Sequence, residues 1–373
     1  FFIKYFVNCD MRYLLIALLL FIGCDDDPVS PQFEGSTDKF ISIFVTGGSI
    51  NETPHHIDLV SDGGYIVAGE SASGFDSQNC VGNSDDRGYL LKINSHGFEE
   101  WSKRLLEEDC SRDHHIYYAQ ETDDANYVAI GSAVFGDSHS LYMTKRDNNG
   151  DEIWTTYRHN GFYDDSSLKQ TSDGGYIVCG RVWSNNGDLF IGKFNSDGND
   201  EWSKIYGGNY TEHATSIQET YEGGFILVGP YGYGLMKVDS NGNIEWNNDE
   251  LTGNEVDLTS DGGFIVTGGY LVKTDSQGNI EWTYSESCNS GTPTIDGGYA
   301  CTGPAPGNNI GLYKIDSSGN EEWVQTYGHP DVSANGKSMQ QTNDGGYIIL
   351  AQEGINYIII KTDSEGNTVD WPE

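Results

Sequence analysis

Carboxylates and imidazoles gather at one recurring point of this chain. Glu52, His55, Asp113, His114, His115, Asp164, Asp165, Glu212 and His213 each stand where a short alternating segment begins. Brought to one rim, such groups would hold Ca²⁺ through carboxylate oxygens or a transition metal through imidazoles. His114 and His115 are adjacent, so on a strand they point to opposite sides and cannot both face one ion without a bulge. Carboxylate pairs also serve glycoside hydrolysis, but with 57 acidic residues such pairs arise by composition alone. Trp183, Tyr231 and Tyr233 are the aromatics a carbohydrate site would use beside them. The plainer reading is a solvated acidic rim. No Ser/His/Asp arrangement, phosphate loop or C-x-x-C can be picked out, so no catalytic residue is assigned and an enzyme is the less favoured class.

The elements that must position these residues are copies of one unit. Its barest copy, residues 260–282, reads S-D-G-G-F-I-V-T-G-G-Y-L-V-K-T-D-S-Q-G-N-I-E-W. Runs of four to six β-prone residues between Gly, Asp, Asn and Ser clusters read as strands joined by hairpins. The apolar strand recurs at Tyr65, Tyr127, Tyr176, Phe225, Phe264, Tyr299 and Tyr347. The closing strand recurs at Trp101, Trp154, Trp202, Trp246, Trp282, Trp323 and Trp371, leaving only Trp183 outside the pattern. The Gly pair permits the positive φ of a tight turn. D-S-x-G-N, as at residues 239–243 and 316–320, is a hairpin rather than a calcium loop, because its Gly comes too early. Each Trp is expected to wedge against the next unit and bury its apolar face there.

Ahead of each Gly pair lies a strand of period two. Ile57, Leu168, Ile217, Val256 and Met339 fall on one face, and Asp58, Lys169, Gln218, Asp257 and Gln340 on the other. Four short antiparallel strands per unit, seven times over, predict an all-β fold: a seven-bladed β-propeller of four-stranded antiparallel blades. The alternating strand is then innermost, its polar side lining an axial channel. The two short turns of each blade fall on one face of the ring and the two variable connections on the other. The long-loop face is therefore the expected ligand face, with Asp113, His114, Asp164, Asp165, Trp183, Glu212, His213 and Tyr231 as candidates. The segment 40–48 matches an outer strand, which predicts that the N-terminal strand closes the last blade, in competition with the copy ending at Trp371.

With these motifs in hand, the chain resembles bacterial exported β-propeller lipoproteins and surface proteins with D-G-G-Y-I repeats. Its K-x-D-x-x-G-N-x-x-W hairpins are similar to quinoprotein-type propeller repeats, whose Trp docks between blades. The resemblance implies a binding or scaffolding role, with carbohydrate-active relatives as the alternative. It departs from sialidase-like propellers in turn spacing and in scarce arginine after Arg181, and from quinoprotein dehydrogenases in lacking an adjacent Cys pair.

The start of the chain carries an address. Residues 1–10 read as upstream of Met11; residues 11–24 combine Arg12, an apolar run of about ten residues and Gly23-Cys24, as a secretory signal does. Phe21-Ile22-Gly23-Cys24 resembles the lipobox of bacterial lipoproteins, which implies acylation of Cys24 and a lipid anchor in the cell envelope. Residues 25–38, acidic with Pro28 and Pro31, read as a tether, and 39–373 as the propeller. The net charge of −37 excludes nucleic acid and anionic membrane surfaces as partners, since phosphates would be repelled. A protein or glycan ligand and a monomeric state are expected. No cofactor is expected, with Ca²⁺ as the alternative that the acidic rim would suit. Cys80 and Cys110 form the favoured disulfide of an oxidising compartment, Cys288 and Cys301 a weaker pair, and Cys179 a buried thiol.

Overall fold

In a computed structural model, residues 32–34, 39–44, 52–73, 85–105, 114–135, 138–159, 162–182, 187–208, 211–329, 332–354 and 356–371 are described. They form seven antiparallel blades around an axis, and no helix occurs among them. The innermost strands are Glu52–Leu59, His114–Glu121, Phe162–Gln170, Ser216–Glu219, Glu255–Leu258, Ser290–Pro293 and Ala334–Gln341 for blades one to seven. Each blade then runs outward through three more strands. Blades one and two are linked by a single parallel pair, Arg87 of the third strand of blade one with His114 of the innermost strand of blade two.

Closure follows the expected route. Phe40–Phe44 pairs antiparallel with Asn356–Lys361 and so supplies the outer strand of blade seven. Gln32–Glu34, inside the stretch read as tether, pairs with it as an additional edge strand. Opposite the Lys of the third strand stands Trp101 in blade one, Trp202 in blade three and Trp323 in blade six; opposite Lys361 stands Phe40. Phe40 thus holds the seventh junction position. Trp371 lies beyond the last strand, where its Nε1 donates to His329 Nδ1 at 2.6 Å. The N-terminal segment, not the copy ending at Trp371, pairs with the third strand of blade seven.

At six junctions a Trp meets the aromatic that opens the next blade's second strand, as in Trp101–Tyr127, Trp202–Phe225 and Trp282–Tyr299, with ring centroids 5.2–6.2 Å apart. Phe40 meets Tyr65 in the same way at 6.2 Å. The hairpin glycine of the next blade lies flat against the same ring. At Gly242, with φ +75°, a Cβ would fall 2.7 Å from Trp202, so both the conformation and the contact demand Gly.

The same junctions bury a lysine in every blade: Lys92, Lys145, Lys193, Lys237, Lys273, Lys314 and Lys361. Lys273 Nζ lies 2.9 Å from both Asp261 of the D-G-G turn and Glu281 of the outer strand. Lys92, Lys193 and Lys314 repeat this double pairing. A buried ammonium is tolerated only when paired, and here the turn and the hairpin base supply the partners. These contacts also place both short turns on one face. In blade four the turn carries Glu222 in place of Asp, and Lys237 pairs with Glu245 at 2.6 Å.

Candidate functional site

The apolar side of the innermost strands is buried as the alternation predicts: Ile57, Leu168, Ile217, Val256 and Met339 are all nearly inaccessible. Their neighbours turn to the axis. Asp58, Gln120, Lys169, Gln218, Asp257, Thr292 and Gln340 occupy one register position in the seven blades, each opposite the second residue of the next strand. Two residues nearer the long-loop face, His56, Tyr118, Ser167, Ser216, Glu255, Ser290 and Ser338 form a second ring. That ring lines a cavity of about 640 Å³ whose mouth is formed by His55, Tyr117, Asn254, Asn289, Asn335 and Lys337.

Much of the second ring fastens neighbouring blades together. Val256 N donates to Ser216 Oγ at 3.2 Å, Gly291 N to Glu255 Oε2 at 3.2 Å, and Met339 N to Ser290 Oγ at 3.1 Å. His56 Nδ1 donates to Ala119 O at 3.1 Å. An innermost strand exposes a row of backbone groups toward the axis, and these side chains satisfy part of it.

Burial and close neighbouring charges set the electrostatics of the channel. Burial raises the carboxyls of Asp58 and Asp257 and pushes Glu255 up to about 7. Burial, then the charge of Lys169, lowers His56 to about 3, so its imidazole stays neutral. Burial also opposes the Lys169 ammonium, but Tyr118, Asp58 and Asp257 around it outweigh that and raise its pKa. Its Nζ sits 4.9 Å from the centre of the Tyr118 ring. Gln218 Nε2 and Thr292 Oγ1 donate to the two oxygens of Asp257 at 3.5 and 3.3 Å.

Beside the mouth, Glu70 is clasped by two imidazoles. His55 Nε2 lies 3.1 Å from its Oε1, and His115 Nδ1 contacts Oε2. Burial would raise this carboxyl, but the bonds from His115 and His55 outweigh it and hold it at about 2. Among the described residues no group of three His, Cys, Asp or Glu side chains is arranged to hold a metal ion. The hairpin carboxylates are engaged within their own turns: Asp239 Oδ1 accepts from Asn241 N and Asn243 N at 2.9 and 2.8 Å, and Oδ2 from Asn243 Nδ2.

The sequence candidates separate. Glu212, His213 and Tyr231 come together beside a second cavity of about 900 Å³ on the long-loop rim, with Arg181, Tyr233, Asn247 and Asp249 around it. His114 is buried in blade two with its ring edge-on to Tyr142 at 5.6 Å, while its neighbour His115 points the other way to Glu70. A strand alternates sides, so only one of the two could face outward. Asp113, Trp183, Cys24, Cys80 and Cys110 lie outside the described residues, as do the side chains of Asp164 and Asp165. Cys288 and Cys301 are disulfide-bonded, and Cys179 is a buried thiol that burial pushes far up. Glu255 and the serine ring were missed as site residues, although the same period-two reading taken one step earlier would have found them. Arg181, Asn247 and Asp249 carry no repeat signal, and only folding brings them together.

No known family profile matches the sequence, and no curated protein matches it. Among solved structures, the AfRom2 CNH domain is similar at 10% identity with a TM-score of 0.51, over 87% of this chain and 99% of that one. Sqt1 from Chaetomium thermophilum aligns at 9% identity and TM-score 0.47, over 84% of this chain and 97% of that one. YCF48 bound to D1 peptide aligns at 12% and 0.49, over 87% and 95%. At such identities the first likeness speaks for the propeller fold alone, and the other two carry no argument.

Proposed function

We propose that the chain is an exported binding or scaffold protein, anchored through a lipid on Cys24, that takes a protein or glycan ligand on its long-loop face. The observation that supports this reading is the division of labour between the two faces. The short-turn face is taken up by the repeated lysine–carboxylate pairs, whereas both the axial cavity and the rim cavity open among the variable connections. The net charge of −37 disfavours phosphate-bearing partners. The test is an array of glycans and peptides probed with the soluble chain, alongside acyl labelling of the full chain in a bacterial host. Ligand capture that is lost when Lys337 is changed to Glu or Tyr231 to Ala supports the reading; capture unaffected by either change, or labelling that survives Cys24→Ser, overturns that part of it.

One observation favours an enzyme as the second reading. Glu255, lining the axial cavity with a carboxyl near 7, has the protonation of a general acid at neutral pH. Hydrolysis of an arrayed glycan that disappears in Glu255→Gln would establish that reading instead.

A further inference from the structure

Blade three is taller than blade four. Its strands run seven to nine residues, from Phe162–Gln170 to Asp200–Tyr206, while those of blade four run four or five, from Ser216–Glu219 to Ile244–Asn248. Both blades share the same register at the short-turn end, where Tyr176 pairs with Phe194 and Phe225 with Val238. The extra length therefore rises on the long-loop face, as a step of about three residues or roughly 10 Å of strand. The rim cavity of about 900 Å³ lies in that step.

Its walls are held in place before any ligand arrives. Glu212 is 7% exposed, its N–H donates to Gly187 O at 2.8 Å, and its Oε2 accepts from Gly208 N at 3.3 Å. Gly232, with φ +85°, presses on the Glu212 stem so closely that a Cβ would come within 2.6 Å of Cγ. Tyr231 is 62% exposed, yet its ring is backed by His213 at 5.5 Å and its backbone forms a bridge to the same residue. Tyr233 is braced edge-on by Tyr206 at 6.2 Å. Two aromatic rings are thus fixed from behind and left open toward the cavity, beside a guanidinium (Arg181), two carboxylates (Glu212 and Asp249) and an amide (Asn247).

From this arrangement we infer that the step between blades three and four is a binding site for a neutral saccharide. The inference rests on the long-face reading above and names its ligand class. Fixed tyrosine faces suit the C–H face of a sugar ring, and planar polar groups around them suit its hydroxyls. The polar half of the lining matches a ligand that carries hydroxyls better than a purely apolar one. An acidic sugar would meet two carboxylates for one cation here, on a chain of net charge −37.

The test is saturation-transfer NMR and calorimetry on the chain with cellobiose, maltose, lactose, chitobiose and mannobiose, and with a lysine-rich peptide. At least one disaccharide is expected to bind, and Tyr231→Ala to weaken it by about tenfold or more with an unchanged melting temperature. Asn247→Ala is expected to weaken it less. Disaccharide binding that ignores Tyr231→Ala but is lost in Lys337→Glu overturns this site while leaving the long-face reading standing. Failure of every disaccharide at tens of millimolar overturns the ligand class, and capture of the lysine-rich peptide instead would reassign the step to a basic protein segment.

Discussion

The short-turn face and the axial channel both hold charge inside a β-sheet ring, and they do so with opposite chemistry. At the short turns every blade sets a buried lysine against a carboxylate near solvent, and four of the seven hold it between two. Burial opposes the Asp261 carboxylate, but the bonds from Thr259 and Lys273 outweigh it and hold the group at about 2; Asp296 behaves likewise. In the channel one lysine, Lys169, faces carboxyls that burial pushes up, with Glu255 at about 7. The first pattern is an ion pair that water can reach and that recurs because every junction needs it. The second sets the Lys169 ammonium among carboxyls that burial raises, and among the described residues no other blade repeats it. Repetition marks what the ring needs to close; departure from repetition marks where blades have been free to diverge.

The sharpest way to break the junction side is at its aromatic. Trp202→Ala should cost about 3 kcal/mol or more of unfolding free energy, read from a denaturant midpoint, because it empties a contact between two blades. Gly242→Ala should also destabilise, and the two losses should fall short of adding, since both act on one contact. Equal and additive losses would separate the ring stacking from the glycine approach.

On the channel side, Lys169→Met should cost about 2 kcal/mol at pH 8, because Asp58 and Asp257 lose their counter-charge. Those carboxyls are raised by burial, so the loss should shrink as pH falls through their raised pKa values and protonation neutralises them. A loss independent of pH would show that Lys169 acts by packing alone.

Glu255 gives a comparable effect of opposite direction. A carboxyl raised from 4.5 to about 7 contributes stability that is complete below the lower value and is lost as pH rises through the higher one. Glu255→Gln should therefore gain on the native chain by about 2 kcal/mol between pH 5 and pH 8, measured by thermal or urea unfolding at both. A flat difference across that window would remove the channel half of the contrast.

The smallest expected effect belongs to Asp261→Asn. Its lowered pKa contributes stability that is present above about 3.8 and is lost as pH falls through about 2. With the carboxylate more than half exposed, solvent screening limits the loss to about 1 kcal/mol or less, present at pH 7 and gone near pH 2. A larger loss than that of Lys169→Met would invert the comparison.

Much of this was legible in the residue pattern. Alternation placed Asp58, Lys169, Gln218, Asp257 and Gln340 toward an axis, and the outer-strand likeness of residues 40–48 foretold how the ring closes. The tryptophan copies were legible at six junctions but not at Trp371, because a repeat shows what a segment could pair with and not which of two competitors does. His114 and His115 could be assigned to opposite sides, but not which one faced out, since that depends on the bulge between Ile116 and Tyr118.

By itself the sequence determined the repeated strands, the turns, the number of blades and the polar lining, because each follows from the order of neighbouring residues. Tertiary structure alone decided that Glu255 would sit near neutrality, that Glu70 would lie between His55 and His115, and that Arg181, Glu212, Tyr231 and Asn247 would share a recess. Those outcomes depend on desolvation and on the meeting of distant segments, and neither is written in any local run of residues.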